Sequence, residues 1–176
     1  MTDYTAGMSK QVPHREHLIT GLGAFFGIAC CYGISSLFVN AASTALIIAS
    51  MGAGSVLLFA ASDSPLSQPW PAIGGHLFSA YVGVACARWV PELWLAAAMA
   101  VGLAVVVMHY TRCLHPPGGA TALVAVIGGP DIHALGFHYV WTPVMLNAVT
   151  LFLSALLFNM WKTKNISSQS TQSSAG

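Results

Sequence analysis

Charged residues are scarce in this sequence, and their scarcity excludes most classes of soluble protein. Only 6 Lys and Arg and 5 Asp and Glu occur among 176 residues, so charged side chains make up 6% of the chain. A soluble globular domain typically contains about 25% charged residues. With a formal net charge of +1, the chain also lacks the basic patch that a nucleic-acid partner requires. We therefore expect an integral membrane protein, surrounded by lipid, that binds no nucleic acid.

Patterns typical of catalysis and of metal binding are missing as well. The sequence contains no nucleophile–base arrangement, no phosphate-binding loop and no pair of carboxylates. It also contains no CxxC pair and no His/Cys spacing typical of zinc. We therefore expect no enzymatic activity, no cofactor and no metal site. We interpret the four cysteines as small apolar packing residues: Cys30, Cys31, Cys86 and Cys113.

Long apolar runs dominate the chain. They cover approximately residues 18–39, 41–61, 72–90, 93–109, 118–129 and 139–161. A helix needs about 20 predominantly apolar residues to cross a bilayer, and the first, third, fourth and sixth runs come close to this length or exceed it. The second run is interrupted by Gly52 and Gly54, and the fifth has only about twelve residues. The sequence therefore predicts an all-α polytopic membrane bundle, with four full spans and two Gly-broken segments, or with six spans.

The residues around these runs predict the domain limits and the orientation. We expect an N-terminal segment over residues 1–17, a membrane domain over 18–161 and a disordered tail over 162–176. In both span counts, five of the six Lys and Arg lie on the side of the two termini, which predicts that both termini are cytoplasmic. The compact single-domain form favours a bacterial inner membrane. Small residues on one helix face, as in Gly23-x-x-x-Gly27, favour a homo-oligomer.

A weak internal repeat relates the two halves of the chain. A shift of 67 residues aligns Thr44 with Thr111 and Gly52 with Gly119. Each half then contains a long helix, a Gly-interrupted segment and a second long helix. Three crossings in each half would form an inverted repeat, an architecture in which paired broken helices build a site near the membrane midplane. The alternative is a chance match between small residues.

The motif that begins at His115 interrupts the chain between two apolar runs. Pro116 and Pro117 end an incoming helix, because each lacks an N–H group and restricts the residue before it. Gly118 and Gly119 then allow another group to approach the backbone closely. A short helix begins here, and free N–H groups at a helix start favour anions. Since broken helices at membrane depth occur where they are buried in protein or line a cavity, we interpret this motif as the binding site of a small anion.

Several side chains are candidates for contact with the anion. His115 can donate a hydrogen bond or bind a proton near neutral pH, or it is a structural histidine that caps a neighbouring carbonyl. Thr121 adds a hydroxyl. Arg112 can attract the anion at the mouth of a pathway, or it simply lies at the membrane interface. His76, near the start of the third run, is either a ligand or a structural histidine. Gly52, Gly54 and Ser55 would form the matching helix end in the other half, or they serve only in close helix packing. Thr111, beside Arg112, is a further candidate.

Taken together, these motifs resemble the HPP family of integral membrane proteins. The resemblance covers residues from about Ala24 to Trp161 and includes the His-Pro-Pro of residues 115–117. It also includes GAGS at 52–55, SPLSQP at 64–69 and Gly-His at 75–76. The family is usually described as having four membrane spans, and some members are implicated in nitrite transport in chloroplasts and photosynthetic bacteria.

The resemblance implies a transporter or channel for a small anion, with nitrite as the preferred substrate. One position departs from the expected pattern, since Trp70 stands where a basic residue is expected in many relatives. If that basic residue attracts anions, its absence weakens the nitrite assignment. The alternative function is a non-conducting membrane subunit, or a ligand-sensing protein that acts with a partner.

Overall fold

The computed structural model describes residues 14–173, and its side chains to residue 164. Helices dominate this part of the chain, which contains no strand, and the all-α prediction is confirmed. Two π-helical turns, Val56–Ala60 and Val140–Met145, extend α2 and precede α7. The helices are α1 (His14–Ser35), α2 (Ala41–Ser55), α3 (Pro69–Trp89), α4 (Leu93–Tyr110), α5 (Pro116–Ile127), α6 (Gly129–Leu135) and α7 (Leu146–Ser173).

The local sequence explains where several helices begin. The Asn40 side chain accepts a hydrogen bond from Ser43 N at 2.9 Å and caps α2. Prolines occupy the first turns of α3 and α5, where a missing N–H group costs nothing. At the other end of the chain, α7 continues to Ser173, so the expected start of a disordered tail at residue 162 lies inside this helix. Most of the expected N-terminal segment, including Lys10, lies outside the described residues.

Four helices in the described part of the chain are long and apolar enough to cross a membrane: His14–Ser35, Ala41–Ala60, Leu93–Tyr110 and Val140–Lys164. Of the two alternatives for the second apolar run, the structure shows the one in which it is a continuous helix, because α2 continues past Gly52 and Gly54. In an apolar environment no water competes for the helical hydrogen bonds, so glycine does not interrupt them. The third run, which was predicted to be a full span, is not among these four helices. It forms α3, a helix of 21 residues that is long enough to cross but contains His76, Ser79 and Arg88.

Contacts between helices show the direction of each segment. Ser43 Oγ donates to Gly128 O at 3.2 Å and Ser50 Oγ donates to Pro117 O at 3.1 Å, so α2 and α5 are antiparallel. Helix α3 runs parallel to α5, since Gly75 lies beside His115, and Gly83, further along α3, lies beside Ala122, further along α5. Helices α3 and α4 form a hairpin. Direction therefore alternates from α2 to α5.

The outer helices continue this alternation. Ser35 lies against Asn147 and Gly27 against Leu151, so α1 and α7 are antiparallel. Helix α7 is parallel to α2, because Gly54 faces Leu151, and Leu58 O accepts a hydrogen bond from Asn159 Nδ2. The chain thus changes direction at each step through α1, α2, α3, α4, α5 and α7. This path favours the six-span alternative, with α5 as a short crossing that bends by 100° into α6.

The same arrangement agrees with the internal repeat. The shift of 67 residues pairs α1 with α4, α2 with α5, and α3 with α7. Helix α1 packs against α2 and α7, and α4 packs against α5 and α3, which are the partners that this pairing requires. The hydrogen bond from Ser50 to Pro117 joins two positions 67 residues apart, where α2 crosses α5. Because paired helices run in opposite directions, the repeat is inverted.

Cationic residues are distributed unequally between the two ends of the bundle. One end, which we call the cationic end, contains residues 61–68 and 111–115 and the C-terminal part of α7. Lys162 forms an ion pair with Glu16 there at 3.3 Å. Other described cations at this end are Arg15, Arg112 and Lys164. The opposite end contains residues 36–40, the α3–α4 connection and α6, and Arg88 lies there.

Candidate functional site

Close contact between α3 and α5 brings two histidines together. A Cβ atom on Gly75 would lie 2.5 Å from His115 Cβ, and one on Gly118 would lie 2.7 Å from Ser79 Oγ. Only glycine fits at these two positions, so the backbones of α3 and the start of α5 approach closely. His76, the residue after Gly75, and His115 therefore lie side by side.

The two imidazoles form a buried pair. Their ring centroids are 5.1 Å apart, with an interplanar angle of 64°. His76 is 2% exposed and His115 is fully buried. Both residues were predicted separately from the sequence as candidate ligands, and the structure brings them into one site.

A backbone carbonyl orients His115. Its Nδ1 lies 2.9 Å from Leu66 O, in the loop between α2 and α3. Because a carbonyl oxygen only accepts hydrogen bonds, Nδ1 has the proton and Nε2 is unprotonated in the neutral ring. This Nε2 atom is buried and has no hydrogen-bond partner among the described residues. A buried polar atom without a partner is uncommon in native proteins and requires an explanation.

A chain of hydrogen bonds orients His76. Its Nδ1 is 2.7 Å from Thr121 Oγ1, which is in turn 2.6 Å from Ser50 Oγ. Ser50 Oγ donates to Pro117 O at 3.1 Å. All three contacts are satisfied when His76 Nδ1–H donates to Thr121, and Thr121 donates to Ser50. In this arrangement Nε2 of the neutral His76 is also unprotonated.

Both Nε2 atoms face Gly54 on α2. A Cβ atom built there would lie 3.7 Å from Nε2 of His76 and 3.8 Å from Nε2 of His115. The missing side chain of Gly54 thus leaves the two ring nitrogens facing a common point on α2. We call His76, His115 and Gly54 the two-histidine site. Leu151 of α7 also lies near this point, 3.5 Å from the same Cβ position.

The start of α5 does not provide the free N–H groups that the sequence analysis expects. Pro116 and Pro117 have no N–H, and the N–H of Gly118 donates to His115 O at 2.8 Å. From Gly119 onward, each N–H group can donate within the helix to the carbonyl four residues earlier, beginning with His115 O. The prediction that Gly118 offers an unpaired donor is therefore wrong, because the two prolines remove the groups that a helix usually leaves free. Gly118 serves instead in close packing against α3.

Five other predicted residues lie outside the two-histidine site. Arg112 is exposed in the loop before α5, with a φ of 55°. Thr111 hydrogen-bonds back to Val107 O at 2.7 Å and ends α4, and Ser55 bonds to Gly52 O of its own helix at 2.8 Å. No atom lies within 4 Å of a Cβ built on Gly52, and the nearest to one on Gly119 is 3.9 Å away on Val101. Of these neighbouring residues, Gly54 therefore belongs to the site, whereas Thr111, Gly52 and Ser55 do not.

Two contributors to the site were missed in the sequence. Ser50 lies one helical turn before Gly54 on the same face of α2, and this spacing could have identified it. The carbonyl of Leu66 has no side-chain signature that could have revealed its role.

A second buried polar cluster lies toward the opposite end of the bundle. Asn147 of α7 donates from Nδ2 to Ser35 Oγ at 2.6 Å, and its backbone oxygen accepts from Cys31 Sγ at 3.6 Å. Its Oδ1 atom is buried without a hydrogen-bond partner. None of these residues was predicted from the sequence to belong to a functional site.

Cavities open at both ends of the bundle. A cavity of about 290 Å³ at the opposite end is lined by Arg88, His133 and Val84, between α3, α5 and α6. Another of about 440 Å³ at the cationic end is lined by Lys162, Ser55 and residues of α1. Cationic side chains thus border a cavity at each end.

Comparison with known proteins places these features in a family. The family model "HPP, transmembrane region" matches residues 9–167. A transmembrane protein of Dictyostelium discoideum is 37% identical over 147 residues, which cover 81% of this chain and 47% of that protein. Another from the same organism is 36% identical over 149 residues, covering 82% of this chain and 52% of that protein.

The chain therefore spans about half the length of these curated relatives. No solved structure matches it significantly. The family match covers most of the chain, including both histidines, Gly54 and every helix of the bundle. The chain belongs to the HPP transmembrane family.

Proposed function

We propose that this integral membrane protein transports a small anion, with nitrite as the preferred substrate, through the two-histidine site. The observation on which the proposal depends is the unpaired Nε2 of His115. A buried polar atom without a partner costs about 1–3 kcal/mol. Nitrite oxygens accept hydrogen bonds, so a nitrite ion would offset that cost in the part of the transport cycle in which this Nε2 carries a proton.

The surroundings of this atom favour a small ligand. Gly54 provides space beside both Nε2 atoms, but Leu151 and the two imidazoles enclose it closely. Nitrite has only three heavy atoms, and its oxygens can accept a hydrogen bond from an Nε2 atom that has gained a proton. The choice of nitrite among small anions is supported by the resemblance to family members that are implicated in nitrite transport.

The cavities support a pathway on either side of the site. Arg88 lines the cavity at the opposite end, and Lys162 lines the one at the cationic end. Cationic groups at a mouth increase the local concentration of anions. Because the two histidines lie deep between α2, α3 and α5, an anion would move from one cavity to the site and then to the other cavity.

The proposal is tested by nitrite uptake into proteoliposomes, with Gly54→Ala as the decisive variant and Gly52→Ala as its matched control. A methyl group on Gly54 makes ordinary contacts at 3.5–3.8 Å, so the variant should fold while the space between the Nε2 atoms is filled. A methyl group on Gly52 meets no atom within 4 Å. We expect at least about tenfold slower uptake for Gly54→Ala, equivalent to about 1.4 kcal/mol of lost binding, and wild-type uptake for Gly52→Ala.

Nitrate, formate and chloride serve as competitors, and empty vesicles measure the leak. Equal uptake by folded Gly54→Ala and wild-type protein would contradict the use of this site. If the wild-type protein transports none of these anions, transport itself is contradicted. Nitrite binding without uptake would then support the ligand-sensing alternative.

A further inference from the structure

We infer that the two-histidine site binds one proton together with each anion, so that the protein moves an anion and a proton in the same direction. This inference rests on the proposed transport function and adds the coupling ion. It follows from the orientation of the two rings, because this orientation determines which nitrogen of each histidine faces the ligand.

In the neutral site, both ligand-facing nitrogens are hydrogen-bond acceptors. Nδ1 of His115 donates to Leu66 O, and Nδ1 of His76 donates into the chain formed by Thr121 and Ser50. Each Nε2 therefore presents a lone pair toward Gly54. An anion that entered this space would meet two acceptors and no donor, so the neutral site disfavours it.

One added proton reverses this situation. A proton from the aqueous phase forms an N–H bond at Nε2 of His115 and converts the ring into an imidazolium, which donates to an anion oxygen. On release the N–H bond breaks, the electron pair returns to Nε2, and the proton leaves on the same side as the anion. The net movement is one anion and one proton, with no change in oxidation state and no net charge transferred.

The low polarity of the membrane interior makes the two binding events depend on each other. An isolated imidazolium at this depth would be strongly disfavoured by the loss of hydration, and so would an isolated anion. Together they form a neutral, hydrogen-bonded pair. The site is therefore stable when empty or when it contains both ions, and this is the condition for coupled transport.

The groups that face the pair do not provide another charge. From α2 it meets Ser50 and Gly54, from α7 it meets Leu151, and from α5 it meets Thr121, whose carbonyl accepts from Tyr139. The nearby titratable groups are the two histidines themselves, the Tyr139 hydroxyl and the buried Cys113 thiol, which packs against Gly74.

A metal ion is a less suitable occupant than a proton. In the described part of the chain, no third His, Cys, Asp or Glu lies close enough to complete a metal-binding group. Two ring nitrogens are fewer than the three or four protein ligands typical of zinc sites.

The test measures nitrite and internal pH together in proteoliposomes, with potassium and valinomycin to set the voltage independently of the pH. Empty vesicles and vesicles containing Gly54→Ala protein correct for diffusion of nitrous acid through the lipid. For the wild-type protein we expect nitrite accumulation to increase about tenfold per unit of inwardly directed pH gradient. One proton should enter with each nitrite, and voltage alone should have no effect.

Protein-dependent uptake that follows voltage and ignores the pH gradient would overturn the inference while leaving the proposed function intact. Absence of protein-dependent uptake would instead contradict the proposed function. As a second variant, His115→Asn keeps a donor near the position of Nδ1 for Leu66 O but has no Nε2 to protonate. Folded His115→Asn protein that still accumulates nitrite in response to a pH gradient would also overturn the inference.

Discussion

Thr121 shows how much the site depends on a single hydroxyl group. This oxygen contacts His76 Nδ1 at 2.7 Å and Ser50 Oγ at 2.6 Å, and all three side chains are buried. Valine has nearly the same shape as threonine but cannot form either hydrogen bond. The ring of His76 would then lose the partner that fixes its orientation.

We therefore expect Thr121→Val to reduce the free energy of unfolding by about 1–3 kcal/mol, because two buried polar groups lose a partner. It should also slow nitrite uptake. Ser36→Ala is the matched control, since the Ser36 hydroxyl donates to Gly33 O at 2.8 Å and Ser36 lines neither cavity. Denaturation in detergent and uptake assays measure the two effects. Identical stability and uptake in Thr121→Val and Ser36→Ala would contradict the role of the hydrogen-bond chain.

At the residue scale, the sequence predicted side chains better than backbone groups. His76, His115, Thr121 and Gly54 were selected from motifs, and all four lie together. The prediction of free amide donors at the start of α5 was wrong. A helix start usually leaves its first N–H groups free, but Pro116 and Pro117 have no N–H group to offer. The Leu66 carbonyl was unpredictable for a different reason, since its role depends on a loop 49 residues away in sequence.

The helices α3 and α5 illustrate packing that depends on absent side chains. A Cβ atom on Gly83 would lie 2.5 Å from Ala122 O, a backbone atom that cannot move without shifting α5. On α4, by contrast, a Cβ atom on Gly102 would meet no atom within 4 Å. These two glycines occupy neighbouring helices but have opposite tolerance for a methyl group.

We expect Gly83→Ala to destabilise the protein by about 1–3 kcal/mol, as overpacking commonly does. Gly102→Ala should be neutral or stabilising by up to about 1 kcal/mol, because alanine is the better helix former. Thermal unfolding of both variants in the same detergent compares them directly. Equal midpoints would show that α3 and α5 can separate without cost, contrary to the close contact described here.

At the element scale, length and apolar character predicted most helices, whereas the positions of glycines did not show where a helix ends. Gly52 and Gly54 left open whether α2 is interrupted, and the structure shows a helix that is continuous to the π-helical turn ending at Ala60. In α3 the polar residues lower the mean hydropathy below that of a typical span, although His76 and Ser79 are buried against other helices. Sequence alone does not distinguish a polar residue facing a helix from one facing lipid.

The whole molecule has a topology that charge counts alone did not determine. Four spans with re-entrant segments and six spans both place five cations on one side. The helix directions favour six spans, because α2 and α3 run in opposite directions and α3, like α2 with its π-helical extension, has the length of a crossing. The repeat in the sequence was more informative than charge, because the packing partners of α1 in one half correspond to those of α4 in the other half.

Single cysteines labelled by a membrane-impermeant maleimide test this topology. We expect Gln68→Cys to be labelled from the same side as Lys164→Cys, and Glu92→Cys from the other side. Excess cations at the cationic end predict that the first side is the cytoplasm. Wild-type protein, with its four native cysteines, provides the background. Labelling of Gln68→Cys from the side opposite to Lys164→Cys would indicate that α2 does not cross the membrane.

The close contact between α3 and α5 also has a consequence for how the chain enters the membrane. Helix α5 has 12 residues and α3 is not apolar enough to qualify as a span by itself, so each is a poor substrate for independent insertion. During synthesis α3 leaves the ribosome well before α5. The polar face of α3 is therefore covered first by α2, α4 or the insertion machinery. The His-Pro-Pro segment covers it only after α5 has been synthesised. The segment that contains His115 thus also completes the cover of the polar face of α3.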